Sequence, residues 1–461
     1  MPGTFFGFNT ALRGMQAAQR SMYTTAHNIA NANTEGYTRQ QVVLATTPAY
    51  PVPAMNRPGG TGWQIGTGVD SQETRRLRDE FLDTQIRRET GNLGMWQQIQ
   101  DVLSQVEIVF NEPSDTGLST LMSQFWAAWQ ELSKNAESSP VRTTVVETAS
   151  ALAEAFNHSA QQLETIINDI DQSIELKVTE VNSLARQIAD LNVQIKNIIA
   201  AGDQPNDLLD QRDLLLDNLS KIIDFQIESG DDGRIAVKVG NSYLVDIVSG
   251  SYDLSPSNLE ATSGEIKGLQ RVRETVQEYL DELDVLVSEL ASAVNEKHKA
   301  GVDLWGKGGE DFFVTIDGSG EIKAGNIAVN PDIRENVGKI AAAQPSDDPK
   351  LAQGDGSNAL AIAQLQSQIR EALNNTTFDD YYKNFTAKLG VDAHEASRMT
   401  TNQGVLVDQL TNRKESISGV SLDEEMANML QYQRAYEASA RMITTLDAML
   451  DKIINGMGVT R

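Results

Sequence analysis

The chain has 461 residues, more than one typical core holds, so about two to four domains are expected. Its net charge is −26 and it has no cysteine. The charge disfavours nucleic acid and anionic membranes as partners, because both reward Lys and Arg, and the missing cysteine excludes disulfides, thiolate metal sites and a Cys nucleophile. Residues 1–100 hold nine Arg, no Lys and seven acids, a balance of +2, which leaves −28 for the rest; the plain reading of that excess is a solvated, self-repelling surface. No run of about 18 apolar residues occurs, so no transmembrane helix is expected. The N-terminus lacks the basic and apolar stretches of a signal peptide, so export would use another route.

From the start, Phe8, Leu12, Met15, Gln19, Met22, Ala26 and Ile29 follow 3-4 spacing and predict a helix with one apolar stripe. Asn31, Asn33 and Gly36 end it, with Gly36 able to take a positive φ. Residues 42–69 shift to short β-like pieces broken by Pro48, Pro51, Pro53 and Pro58, an extended connector with a hairpin. Helices are predicted at Ser71–Arg88, Leu93–Phe110 and Leu118–Glu137, punctuated by Pro113 and Pro140. Next comes the most regular segment. Leu163, Ile167, Ile170, Ile174, Val181, Leu184, Ile188, Leu191, Ile195 and Ile198 keep a heptad seam interrupted only at Lys177. That lysine reads either as a register-setting polar residue or, more simply, as a side chain reaching solvent at a bundle edge.

After a helix at Asn206–Ile222 the period falls to two around Phe225–Ile227, Ile235–Val239 and Leu244–Ile247, with hairpin turns at Gly230–Gly233 and Gly240–Asn241. Helix returns at Val272–Lys297. A short β pair follows at Phe312–Ile316 and Glu321–Val329, turning at Asp317–Gly320, and then helices at Ala359–Leu373 and from Tyr381 to about Ser418. The expected fold is mainly α with a small β part. The N- and C-terminal helices pair as an inner coiled-coil layer, a long-helix bundle comes next, and a short β-hairpin domain lies outermost. The corresponding divisions are 1–70, an N-terminal assembly helix and connector; 71–220, the N-terminal half of the bundle; and 221–270, a β-rich insertion. They continue with 271–300, a bundle helix; 301–345, a short β/loop insertion; 346–418, the C-terminal half of the bundle; and 419–461, a C-terminal assembly helix.

Residues able to carry chemistry do not converge. His27, His158, His298 and His394 are far apart, and none has metal-ligand spacing; His394-Glu395 lacks the second histidine of a zincin helix. Gly60–Gly66 departs from a dinucleotide fingerprint by one residue and has no βαβ frame, so it reads as a hairpin. Asp317–Glu321 offers oxygens for Ca²⁺ but lacks the flanking helices and the later bidentate Glu, so it reads as a turn. The acid pairs at 231–232 and 379–380 read as solvated loops. No catalytic residue, cofactor or metal ligand is assigned.

The two ends differ from this background. Tyr432, Ala435, Ser439, Met442, Leu446, Met449 and Ile453 form one seam, and Met426, Met429, Tyr436, Ala440, Ile443, Leu450 and Ile454 form a second beside it. Two adjacent seams fit a core helix buried on several sides, or a helix that meets its N-terminal partner and also neighbouring subunits. On the second reading the candidate assembly residues are Phe8, Leu12, Met15, Met22, Asn28, Ile29, Asn31, Asn33, Gly36 and Tyr37 at one end. At the other they are Met426, Met429, Tyr432, Tyr436, Met442, Ile443, Leu446, Met449, Leu450 and Ile453. Such ends are expected to gain helix on assembly.

The stretch Asn28-Ile-Ala-Asn-Ala-Asn-Thr-Glu-Gly-Tyr37, with Tyr432-Gln-Arg-Ala-Tyr436 and Ala448-Met-Leu450, resembles the flagellar rod, hook and hook-associated proteins. Thr38-Arg39-Gln40, Asn206-Asp-Leu-Leu-Asp-Gln-Arg-Asp213, Ala300-Gly-Val-Asp303 and Asp311-Phe-Phe313 are similar to the hook-associated members in particular. Larger relatives carry a further outer β domain after the position of Phe313, where this chain has only residues 314–345 before its next helical part. The resemblance implies an extracellular structural subunit, exported through the flagellar type III apparatus and forming a ring of like subunits between hook and filament. Its implied partners are itself, the hook protein, the next junction protein and an export chaperone on the C-terminal segment, with no membrane or nucleic acid and no cofactor. A hook or distal-rod subunit is the alternative in the same class; the long seam at 163–198 argues against it. A surface enzyme carried on such ends would need a convergent catalytic group in 221–345, and none is seen.

Overall fold

The computed structural model describes residues 5–51, 64–110, 117–248, 250–255, 261–316, 318, 320–345 and 353–456. In chain order these form α1 (Phe6–Ala30), β1 (Gln40–Thr46), β2 (Tyr50–Pro51), β3 (Gln64–Ile65), β4 (Val69–Arg76), α2 (Glu80–Phe110), α3 (Leu118–Lys134), α4 (Ser139–Ala200) and α5 (Asn206–Ile222). There follow β5 (Gln226–Ser229), β6 (Ile235–Val239), β7 (Ser242–Asp246), β8 (Gly250–Ser251), α6 (Glu265–Ala300), β9 (Phe313–Thr315) and β10 (Ile327–Val329). The last elements are α7 (Pro331–Glu335), α8 (Ser357–Ala363), α9 (Phe378–Ser418) and α10 (Leu422–Gly456). The chain is mainly helical with small antiparallel sheets, as its periodicities predict. Two units divide it: residues 1–91, 180–261 and 404–461 make the first, and 92–179 with 262–403 the second. The division falls within α2, α4 and α9.

In the first unit β1 pairs antiparallel with β4, from Gln40 opposite Arg76 to Thr46 opposite Val69. This corrects the helix expected at Ser71–Arg88. Residues 69–76 are a strand, and α2 starts at Glu80 after Asp79, whose side chain accepts the Phe81 and Leu82 amides at 3.1 and 3.2 Å as an N-cap. Polar alternation on a two-stranded ribbon leaves no apolar face for a period to reveal. Strands β5 to β8 form a four-stranded meander. Its second strand is held by Asn192 of α4, which donates to the Ile235 carbonyl at 2.8 Å, and the turn before it by Arg212 of α5, which donates to the Gly233 carbonyl at 2.7 Å. Burial pushes the Arg212 guanidinium down to about 10. The Gly60–Gly66 hairpin and Pro53 and Pro58 of the connector lie wholly or mostly outside the described residues, as do Pro113, Asp317 and Ser319.

In the second unit the core is aromatic. Phe125, Trp126 and Trp129 of α3 lie fully buried with Phe312, Phe313 and Phe378. The Trp129 and Phe312 centroids are 5.2 Å apart and those of Phe125 and Trp126 4.9 Å, both edge-to-face. His298 is enclosed beside them. Its Nδ1 lies 2.6 Å from the Glu310 carbonyl, and its Nε2 accepts the Ala341 amide at 2.9 Å. One nitrogen must donate and the other accept, so the ring is the neutral Nδ1–H tautomer, and burial pushes its pKa down to about 4. Arg142, also buried, donates to the carbonyls of Ala136 at 2.7 Å and Ile340 at 2.8 Å.

Three further expectations change here. The helices predicted at 71–88 and 93–110 give way to one, because α2 continues through Gly91 and Gly94. Lys177 does not reach solvent alone but pairs at 2.8 Å with Glu265, a buried carboxylate at the start of α6. The helix predicted over Ala359–Leu373 stops at Ala363 and continues as two 3-10 turns, Gln364–Ser367 and Glu371–Leu373. Asn374 and Asn375 then adopt left-handed backbone, which closes that segment.

Candidate functional site

The terminal helices α1 and α10 pack against each other, antiparallel and in one register. A Cβ on Gly7 would lie 3.5 Å from Leu446, and one on Gly14 would lie 3.2 Å from the Ser439 hydroxyl. Asn28 bonds Glu425 at 3.0 Å. Each contact is seven residues on from the last along α1, or two such steps, and the same distance back along α10, so the pairing is regular. On α1 the buried line is made of small and polar residues: Ala11, Ala18, Ser21, Thr25 and Asn28, with Ala17 beside it. On α10 only Glu425 is buried; Met429, Tyr432, Tyr436, Ser439, Ile443, Leu446 and Leu450 are partly covered. Small residues allow close backbone approach, and the apolar area comes from α10.

Just after α1 the chain folds back into a polar node. Gly36 has φ +77° and sits with its α-carbon against Leu214 of α5, a place where a side chain would be both strained and crowded. The Asn31 amide caps the helix end by donating to the His27 carbonyl at 3.0 Å. Asn28, 1 % exposed, fills all four of its hydrogen-bonding positions. Its Nδ2 donates to the Gln40 carbonyl at 2.9 Å and to Glu425 Oε2 at 3.0 Å. Its Oδ1 accepts the Tyr37 hydroxyl at 2.7 Å and the Gln40 amide at 3.0 Å. Arg39 closes the other side of Glu425, with Nε at 2.8 Å and Nη2 at 2.7 Å from Oε1, and its Nη1 reaches Glu424 at 2.9 Å. Burial, with Asp207, Asp210 and Glu425 nearby, pushes the Tyr37 phenol above its ordinary range, so it stays a donor.

The node continues into α5. Gln40 donates to Asp207 at 2.8 Å, the Thr38 amide to Asp210 at 3.0 Å, and Asn206 to the Thr74 carbonyl at 2.7 Å. Arg76 bridges Asp210 at 2.8 Å and Asp213 at 2.7 Å, while Arg78 reaches Asp213 at 2.9 Å and also bonds Asp83. Arg87 pairs with Asp217 at 2.6 Å, and Lys414 of α9 spans Asp217 and Asp83. Burial alone would raise the Asp213 carboxyl, but Arg78, Arg76 and Arg87 outweigh it and hold it below the ordinary carboxylate range. The segments Asn28–Gln40, Asn206–Asp213 and Glu424–Glu425, distant in sequence, are therefore one structure.

Of the candidate residues, Asn28, Gly36, Tyr37 and the cap Asn31 belong to this node, whereas Asn33 is exposed outside it. Phe8, Leu12, Met15, Met22 and Ile29 are half-buried and flank the small-residue line. On α10 the line facing α1 takes alternate members from both predicted seams. Met426, Met442, Met449 and Ile453 stay more than half exposed. Sequence reasoning missed Arg39, Glu425 and the acids of α5 as site residues, and missed Ala11, Gly14 and Ala18 as the contact line. A lone Glu in a first helical turn reads as dipole compensation; a small-residue heptad was the available signal.

Among the described residues no group of three or more His, Cys, Asp or Glu side chains is arranged to hold a metal ion, and no helix is long and apolar enough to cross a membrane. Family models match in three places. The Flagellar hook-associated protein FlgK helical domain covers residues 103–257 and 245–313, the Flagella basal body rod protein model 8–38, and the Flagellar basal body rod FlgEFG protein C-terminal model 415–456. Flagellar hook-associated protein 1 of Bacillus subtilis is 35 % identical, aligned over all of this chain and 99 % of its own length. The protein of the same name from Escherichia coli is 26 % identical over 97 % of this chain and 99 % of its own. The flagellar hook junction protein FlgK from Burkholderia pseudomallei shares the fold, with a TM-score of 0.62 at 17 % identity over 72 % of this chain and all of that one. Full-length similarity at this level places the chain: it belongs to the flagellar hook-associated protein 1 family.

Proposed function

We propose that this chain is a structural adaptor subunit of the bacterial flagellum, forming the junction between hook and filament, with no catalytic role. The observation that carries the reading is the node at the exit of α1, where the motif shared with axial proteins ties the N-terminal helix, the connector and the C-terminal helix together. Matches to rod-type models at 8–38 and 415–456 suit any axial subunit, and the match at 103–313 favours the junction member over a hook or distal-rod subunit. The uncovered Met426, Met442, Met449 and Ile453 supply apolar area for like subunits, for the hook protein below and for the next junction protein above. The same segment would be held by a chaperone before export through the flagellar type III apparatus, and the terminal helices would form the inner layer of the ring.

Electron microscopy of cells lacking the protein tests the role. Hooks without filaments, with filament protein in the medium, are expected; normal filaments would refute it. Removing residues 421–461 is expected to leave the second unit folded and to abolish attachment to hook ends. Attachment by the truncated chain would sink the assignment of α10 to assembly.

A further inference from the structure

We infer that the buried carboxylate of Glu425, held by Asn28 and Arg39, is the lock that sets the register of the α1–α10 pair. The rest of the interface does not choose among registers. On α1 the contact line is Gly7, Ala11, Gly14, Ala18, Ser21 and Thr25, side chains too small to distinguish one α10 turn from the next. On α10 the facing line repeats every seven residues: Tyr432, Ser439, Leu446 and Ile453 occupy one position, and Met429, Tyr436, Ile443 and Leu450 the other. The helix is also longer than its partner, running to Gly456 while Phe6, at the start of α1, lies near position 447. Sliding α10 by one heptad would set Gly14 against Leu446 and Gly7 against Ile453, keep all of α1 covered, and release the first turns of α10 into the linker after Ser418.

One contact is lost in that slide. Asn28 would face Tyr432, and Glu425, 2 % exposed in the native register, would leave both Arg39 and the Asn28 amide. The Arg39 guanidinium and Asn28 would then stay partly enclosed without their acid, a state far costlier than the native pair. A single polar group in an otherwise permissive seam is how helix pairs specify register. The lock is intramolecular and does not depend on the chain's place in a flagellum.

The absence of cysteine makes the test clean. In the full-length chain at high dilution, Gly14→Cys is combined with Ser439→Cys for the native register or with Leu446→Cys for the slipped one, and intramolecular bridging is followed by non-reducing electrophoresis. The geometry at Gly14 and Ser439 suits a disulfide. With the node intact the native pair is expected to bridge roughly ten-fold or more in excess of the slipped pair. Glu425→Leu is expected to bring the two within about three-fold of each other, and Arg39→Gln, which leaves α10 untouched, to move the ratio the same way. A ratio unchanged in both variants overturns the lock. So does loss of bridging in both pairs of Glu425→Leu, which would make the residue a docking requirement, and so does failure of the native pair to bridge with the node intact.

Discussion

The terminal-helix pair and the aromatic core of the second unit hold their elements by opposite means. In the core, Phe125, Trp126, Trp129, Phe312 and Phe378 are fully enclosed and interlock edge-to-face, and the one ionisable ring among them, His298, is kept neutral. In the terminal pair α10 buries one residue, a carboxylate, and leaves large apolar side chains in water. Burial of shaped apolar volume makes a unit that is finished in itself. A polar lock with apolar surface to spare makes an element whose geometry is set before its contacts are complete.

Substitutions that reach only one of the two mechanisms can break this contrast. The largest effect is expected from Trp129→Ala, which should destabilise the second unit by about 3–5 kcal/mol in denaturant unfolding; a loss below about 2 kcal/mol would show a core able to repack. Acid acts on the same unit through His298. Its native form is neutral with a pKa near 4, against 6.5 unperturbed, so unfolding takes up a proton between those values. The stability from this group is complete above pH 6.5 and declines as pH falls toward 4, by about 3 kcal/mol in all. Urea titrations across that range should show the slope, and His298→Gln should flatten it.

In the first unit Asn28→Ala removes all four bonds of the node's central side chain. It is expected to cost about 1–3 kcal/mol, read as earlier loss of helix on heating. Gly36→Ala should cost about 1 kcal/mol, since alanine must adopt the positive φ and meet Leu214. The smallest effect belongs to the exposed face. Met442→Ser is expected to change stability by less than about 0.5 kcal/mol while weakening attachment to hook ends, as exposed sites away from structural features usually do in folding assays. Unchanged attachment would mean that this apolar surface has no partner.

Legibility differed with the physics of each element. The heptads of α4 could be read directly, because Leu163, Ile167, Ile170, Ile174, Val181, Ile188, Leu191 and Ile195 are all buried and their spacing records that. The strand at Val69–Arg76 could not, since both its faces are polar and its pairing to β1 is a long-range event. Lys177 was equally opaque: whether a seam lysine meets solvent or a carboxylate depends on Glu265, 88 positions away. At the candidate site, Asn28, Gly36 and Tyr37 were visible because turns and helix exits need specific residue types. Arg39, Asp210, Asp213 and Glu425 were not, because an ion pair has no local signature in either partner.

The sequence by itself therefore determined the helical class, the hairpin sheets, the terminal helices and the motif that ends the first of them. Those follow from periodicity and backbone preference, which act over a few residues. Only the tertiary structure decided which line of α1 faces α10, in what register, and which charges meet around Asn28 and Asp213. Such choices rest on burial and pairing between segments hundreds of positions apart, and no local pattern encodes them.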